Sequence, residues 1–213
     1  MATSTLTPRR TQTREKLIDA AVSVFAEKGV LGASVEEICE RAEFTRGAFY
    51  SNFADKDELC LAVLNRQADR ELSATQHAVA ALRSGVLGAS SIEELVDSAL
   101  SVFMAVQPRT TEELVTGLEL RLYAIRNPAL RPAFLALNDE MVVQIGELLQ
   151  TAVDRVGARL LVPMQQAIDL LHAVYAHSGS SALLHGLEPD DGPRRQQLAA
   201  VLRSLVTEEH PAG

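Results

Sequence analysis

Three helix starts follow one another between Ser34 and Glu58, and a segment punctuated in this way can fold only as a cluster of short helices. Ser34 and Glu37 form a capping box: the serine hydroxyl accepts from a free N–H of the first turn while the glutamate reaches back to the cap. Thr45 caps a helix expected from Arg46 to about Phe53, and Asp55 with Glu58 repeats the signature for one starting near Lys56. Upstream, Leu17, Ile18, Ala21, Val24 and Phe25 make one apolar stripe at helical spacing between Gln12 and Lys28, which Gly29 ends.

Further along, apolar residues keep recurring at three- and four-residue intervals, and β-branched alternation is missing. Helices are expected at about 57–83, 91–106, 110–126, 128–157, 164–186 and 194–207, parted by Gly85 and Gly88, Pro108, Asn127-Pro128, the stretch from Gly157 to Pro163, and Pro189 to Pro193. The fold class is therefore all-α: a three-helix module at the N-terminus, then a larger helical region. The division expected is 1–60 and 61–213, with the boundary inside the fourth helix.

With 213 residues, 47% of them hydrophobic, the chain can bury a substantial core. No run of about 18 uninterrupted apolar residues occurs, and the polar start MATSTLTPRRTQTR has no signal-peptide core, so a cytoplasmic protein is expected. The formal charge of −8 argues against a polyanionic partner until its distribution is read. Basic and acidic residues nearly balance over 1–66, and most of the negative excess lies beyond. Only the first region can approach a polyanion without strong net repulsion.

Helices two and three, joined by three or four residues, have the layout of a helix-turn-helix, whose second helix enters the major groove. With Phe49 and Phe53 turned to a core that includes Ile38 and Ala42, helix three presents Arg46, Gly47, Tyr50 and Ser51 on its opposite face. Arg46 can donate twice to guanine, Gly47 allows the backbone close to the duplex, and Tyr50 offers a phenol to phosphate. Lys56, with the N-terminus of the fourth helix, suits a second phosphate. Thr45, Ala48 and Asn52 complete the expected DNA-binding set. Arg9, Arg10 and Arg14 are either a loose tail or a basic arm that touches DNA.

The stretch Ser34-Val-Glu-Glu-Ile-Cys-Glu-Arg-Ala-Glu-Phe-Thr-Arg-Gly-Ala-Phe-Tyr-Ser-Asn-Phe-Ala-Asp-Lys-Asp-Glu-Leu59 resembles the DNA-binding signature of the TetR family, and the resemblance extends over about residues 11–62. Thr45, Gly47, Phe49-Tyr50, Phe53, Lys56 and Leu59 fall at the family's spacing. Two positions depart from it. Glu43 stands where the family usually has glycine, which implies a turn without strongly positive φ, and Asn52 stands where histidine is frequent. The resemblance implies a repressor of transcription that a small-molecule effector releases from a palindromic double-stranded DNA operator. It also implies a homodimer formed through the helices expected at 164–186 and 194–207. For the effector pocket the candidates are Phe103, Met104, Leu118, Arg121, Tyr123, Phe134 and Met141, with Glu119 beside them, and the scarcity of aromatics argues against a large planar inducer.

Other classes find little support. No nucleophile elbow, phosphate loop or paired-carboxylate frame is present, so no catalytic residues and no cofactor are expected. His172, His177 and His185 stand five and eight residues apart, not at the i, i+4 spacing of a helical metal pair. Cys39 and Cys60 suit buried hydrophobes better than a disulfide or redox pair. An activator, a regulator that needs no ligand, and a helical interaction module remain the alternatives.

Overall fold

Thr7 opens the first helix: its hydroxyl accepts from the Arg10 N–H at 3.4 Å, and Pro8 fills the first helical position, where a missing N–H costs no hydrogen bond. The structure, a computed structural model, describes residues 7–83, 91–108, 110–155, 157–188 and 190–208. In chain order the elements are α1 (Pro8–Gly32), α2 (Val35–Arg41), α3 (Arg46–Tyr50), α4 (Lys56–Arg83), α5 (Ile92–Val106), α6 (Thr111–Arg126), α7 (Arg131–Arg155), β1 (Ala158–Leu160), α8 (Met164–Leu184), α9 (Asp191–Leu205) and β2 (Val206–Glu208). The all-α expectation holds. The glycines at 85 and 88 and Pro189, read as breaks, lie outside the described residues.

The chain groups into two compact units, each drawn from two stretches. One contains the residues to Gln67 together with Pro108–Leu137; the other contains Ala68–Gln107 and the residues from Asn138 onward. Their first division falls inside α4, and α6 belongs with the N-terminal helices.

In the first unit Leu17, Ile18 and Phe25 of α1, Ile38 of α2, Phe49 of α3, Phe53, Leu59 of α4 and Leu120 of α6 form one buried cluster. Polar bonds fasten α6 to it. The Thr116 hydroxyl donates to the Val22 carbonyl at 2.9 Å, and the Glu119 carboxylate accepts from the Val30 N–H at 3.3 Å. Tyr123 donates to Asp57 Oδ1 at 2.7 Å, while the Asn127 amide donates to Asp57 Oδ2 at 3.1 Å. Burial, and then the hydrogen bond to Asp57, push the Tyr123 phenol up to about 12. Gly29 has φ 73°, a backbone conformation that favours glycine, and a Cβ there would stand 2.7 Å from Glu119 Oε2 and displace that carboxylate. Helical geometry breaks at Gly29, where the sequence pattern ends it, and resumes for about one turn to Gly32.

The second unit packs Val96, Leu100 and Phe103 of α5 against Leu171 and Tyr175 of α8 and Leu198 and Leu202 of α9. It departs from the sequence expectation at one place. Residues 158–160 and 206–208 pair as an antiparallel ribbon, Ala158 opposite Glu208 and Leu160 opposite Val206, where a loop and the end of a helix are expected. Leu161 N–H also donates to the Leu205 carbonyl at 2.8 Å, continuing the pairing.

Candidate nucleic-acid interface

The sequence signals at α2 and α3 act locally as they should. Ser34 Oγ accepts from the Glu37 N–H at 3.2 Å, and Glu37 Oε2 accepts from the Ser34 N–H at 3.0 Å, closing the capping box. Lys28 also bonds Glu37; that bond first, and those from Ser34 next, draw the Glu37 carboxyl from its ordinary 4.5 down to about 2. At the other end of α2 the chain turns through Glu43 at φ 59°. The Phe44 N–H donates to the Cys39 carbonyl at 2.9 Å and the Glu43 N–H to the Glu40 carbonyl at 3.1 Å, the paired bonds of a Schellman motif. This corrects the expectation for Glu43: the turn keeps the left-handed geometry of its glycine relatives and places a glutamate in it.

Thr45 Oγ1 accepts from the Ala48 N–H at 3.2 Å and starts α3. Phe49 and Phe53 are fully buried beneath it, their ring centroids 5.7 Å apart. The outer face carries Thr45, Arg46, Gly47, Tyr50 and Ser51, all exposed, with Ala48 half-buried beside them. Arg46 lies 61% exposed, ion-paired through Nη1 with Glu36 Oε1 at 2.7 Å and with its guanidinium carbon 5.9 Å from the Tyr50 ring centroid. Tyr50 stands edge-on against Phe49 at 5.2 Å, which fixes the ring while half of the side chain meets solvent. Gly47 has no strained φ, and a Cβ there would meet only Thr45 Oγ1 at an ordinary 3.7 Å. Nothing inside the protein demands glycine at that position.

Two residues of the expected DNA-binding set turn inward. Asn52 is buried, and its amide donates to the Ala48 carbonyl at 2.8 Å and to Ser51 Oγ at 3.3 Å. Lys56 donates to the carbonyls of Val30 at 2.7 Å and Ala33 at 2.9 Å, where it satisfies the C-terminal end of α1. The expected phosphate seat at the start of α4 is taken by the protein's own carboxylates: Asp55 Oδ1 accepts from the Glu58 N–H at 2.8 Å, and Glu58 Oε2 from the Ala54 N–H at 2.7 Å. A lysine at a helix start carries the same letters whether it faces phosphate or a neighbouring helix end.

The N-terminal arginines have a role that sequence reading left open. Residues 8–16 are helical, and Arg10 Nη2 donates to the Ser51 carbonyl at 2.9 Å. Arg14 donates to the Asn52 carbonyl, stacks 4.2 Å from the Phe53 ring centroid and lies 3.8 Å from a Glu58 oxygen. Both cations thus hold the carboxyl end of α3, where unpaired carbonyls gather. Arg9 is exposed on the same helix.

The effector-pocket candidates whose side chains are described are not brought together. Among the described ones, only Phe103 lines a cavity of about 700 Å³, solvent mouth included, in the second unit. Met104 packs partly buried against the cluster beside it, whereas Leu118 and Arg121 are exposed and Tyr123 is committed to Asp57. Phe134 is half-buried on α7, and Met141 lies on α7 with its side chain outside the described residues. Glu119 serves the α1 kink. The cavity walls come mainly from aliphatic residues of α5 and α8, with Leu202 of α9 and both short strands. Aliphatic side chains facing a cavity and facing a core look alike in sequence, so no signal could have singled them out. Cys39 and Cys60 are buried free thiols, and burial pushes Cys60 up to about 12, far from the thiolate that redox chemistry needs.

Comparison with known proteins agrees with this geometry. The family model described as "Bacterial regulatory proteins, tetR family" matches residues 17–63, the span from the α1 stripe to α4. The HTH-type transcriptional regulator SrpR of Pseudomonas putida is 45% identical over 65 residues, 30% of either chain. The HTH-type transcriptional regulator UidR of Escherichia coli K12 is 24% identical over 206 residues, 91% of both chains. Across the first three curated relatives, the match spans only about a fifth to a half of each relative's length. Among solved structures, a transcriptional regulator from Saccharomonospora viridis in complex with choline shares the fold at TM-score 0.69 and 18% identity, over 93% of this chain and 100% of that one. No helix among the described residues is long and apolar enough to cross a membrane. Residues 17–63, which include the helix-turn-helix of α2 and α3, are thus similar to the DNA-binding segment of the TetR family of bacterial regulatory proteins.

Proposed function

We propose that the protein is a cytoplasmic, sequence-specific DNA-binding transcription regulator, a homodimer that represses from a palindromic operator and leaves it when a small molecule binds. The observation that carries this reading is the outer face of α3: an exposed Arg46, a glycine at 47 that the fold does not need, and a braced Tyr50. Arg46 reads guanine, Gly47 admits the duplex backbone and Tyr50 meets phosphate, with Thr45, Ala48 and Ser51 at the edges. The division proposed is residues 1–60 for DNA and 61–213 for effector binding and dimerisation. Dimerisation uses α8 and α9, where the small residues Ser178, Ser181 and Ala182 of α8 permit close helix approach.

Release needs only that the effector prefer the conformation that fits DNA less well, and a few kcal/mol of coupling suffices. The choline held by a neighbouring fold supports a small-molecule effector. Fluorescence anisotropy of the DNA beside the protein's own gene, at two salt concentrations, tests the reading. Salt-sensitive specific binding, lost in Arg46→Ala with fold and dimer intact, is expected; equal binding by Arg46→Ala would overturn the role of α3.

A further inference from the structure

The second unit holds a partly open cavity in an interior where gaps bigger than a water molecule are few. The chemistry of its walls is what points to an occupant. Among its described lining residues there is no carboxylate, lysine or arginine, and only Thr75 and His172 are polar. Thr75 is buried and its hydroxyl donates to the Glu71 carbonyl at 2.8 Å, so toward the cavity it can act only as an acceptor. The His172 ring lies 5.1 Å from the Phe103 ring at 44°, presenting an aromatic pair at the wall. The remainder is branched hydrocarbon and the Met164 thioether.

An ion placed here would lose its hydration with no opposite charge on those walls, a cost that apolar contacts do not offset. Uncharged hydrocarbon, by contrast, gains about 25 cal/mol for every Å² removed from water. From this we infer that the cavity takes an uncharged, largely hydrocarbon small molecule whose few polar atoms meet Thr75 and His172, and that anionic and cationic ligands of the same body are rejected. The inference rests on the effector-binding reading above and specifies its chemistry. It sets the site apart from one built for a quaternary ammonium, which needs a carboxylate or an aromatic cage.

Calorimetric titration of the full chain with decan-1-ol, decanoate and decylammonium, each below its aggregation concentration, tests it, with menthol as a compact uncharged probe. Saturable binding of one uncharged molecule per chain is expected, with decanoate and decylammonium at least tenfold weaker. Ala167→Phe fills the cavity and should abolish that binding with helix content unchanged; His172→Glu should raise the affinity for decylammonium at least tenfold. Either charged probe matching decanol, binding that survives Ala167→Phe in the folded protein, or no saturable binding of decanol and menthol would overturn the inference. Because no DNA enters the titration, these outcomes stand apart from those of the operator measurement. Ligand chemistry can fail while DNA binding by α3 holds, and the reverse.

Discussion

Glu43 occupies a backbone well that an L side chain enters at a cost of about 1–2 kcal/mol, and the Schellman bonds on either side of it hold it there. Glu43→Gly should therefore raise stability by about 0.5–1 kcal/mol, the relief being partly offset by the freer unfolded chain. Chemical denaturation reads the change, and a loss of stability would mean that the glutamate side chain makes a compensating contact. Gly47 is the reverse case. Gly47→Ala should stabilise α3 by up to about 1 kcal/mol through helix propensity, yet weaken specific DNA binding on the order of tenfold or more, about 1.4 kcal/mol. Stability and DNA binding rising together in that variant would remove the close approach assigned to residue 47. Residue types at both positions were legible in the sequence, but their conformations were not. A glutamate reads as a residue that avoids positive φ until the hydrogen bonds around it are known. The inward turn of Asn52 and Lys56 was hidden for a similar reason, since neighbours not adjacent in sequence decide which way a polar side chain points.

At the scale of elements, the helix starts were legible because a capping box is a local device, complete within four residues. Its strength depends on pH. Glu37 has its folded pKa drawn below the ordinary value, so its contribution is fully present above about pH 4.5 and disappears as pH falls toward 2. Amide shifts of Val35 to Glu37 followed by NMR should move across that window, and Glu37→Gln should flatten the response; an unchanged profile would place the titration elsewhere. The clamp on α3 was less legible, because Arg10 and Arg14 reach carbonyls some forty residues away. Arg14→Ala should speed hydrogen exchange at Asn52 and Phe53 while leaving α2 protected, and uniform exchange across both helices would reject the clamp. The β1–β2 ribbon escaped notice for want of length: strands of three residues leave no alternation to read, and their pairing joins residue 158 to 208.

In the whole molecule, periodicity made the helical class legible, and the near balance of charge over residues 1–66 made that region the credible partner of a polyanion. The cavity was not legible, since most of the aromatic and polar residues that suggest a pocket in sequence are spent on packing and on the bonds of α6 to α1 and α4. Tyr123→Phe shows what those bonds contribute: removing the phenol from Asp57 should cost about 1–2 kcal/mol in denaturation without altering uptake of decanol, and lost uptake would tie residue 123 to the ligand after all. The most direct test of the central claim is selection of binding sites by the full chain from a pool of random DNA duplexes. A DNA-reading dimer should enrich an inverted repeat whose half-sites lie about one helical turn or a multiple apart, with enrichment lost in Arg46→Ala. Recovery of duplexes with no shared sequence, or with a single unrepeated motif, would contradict it.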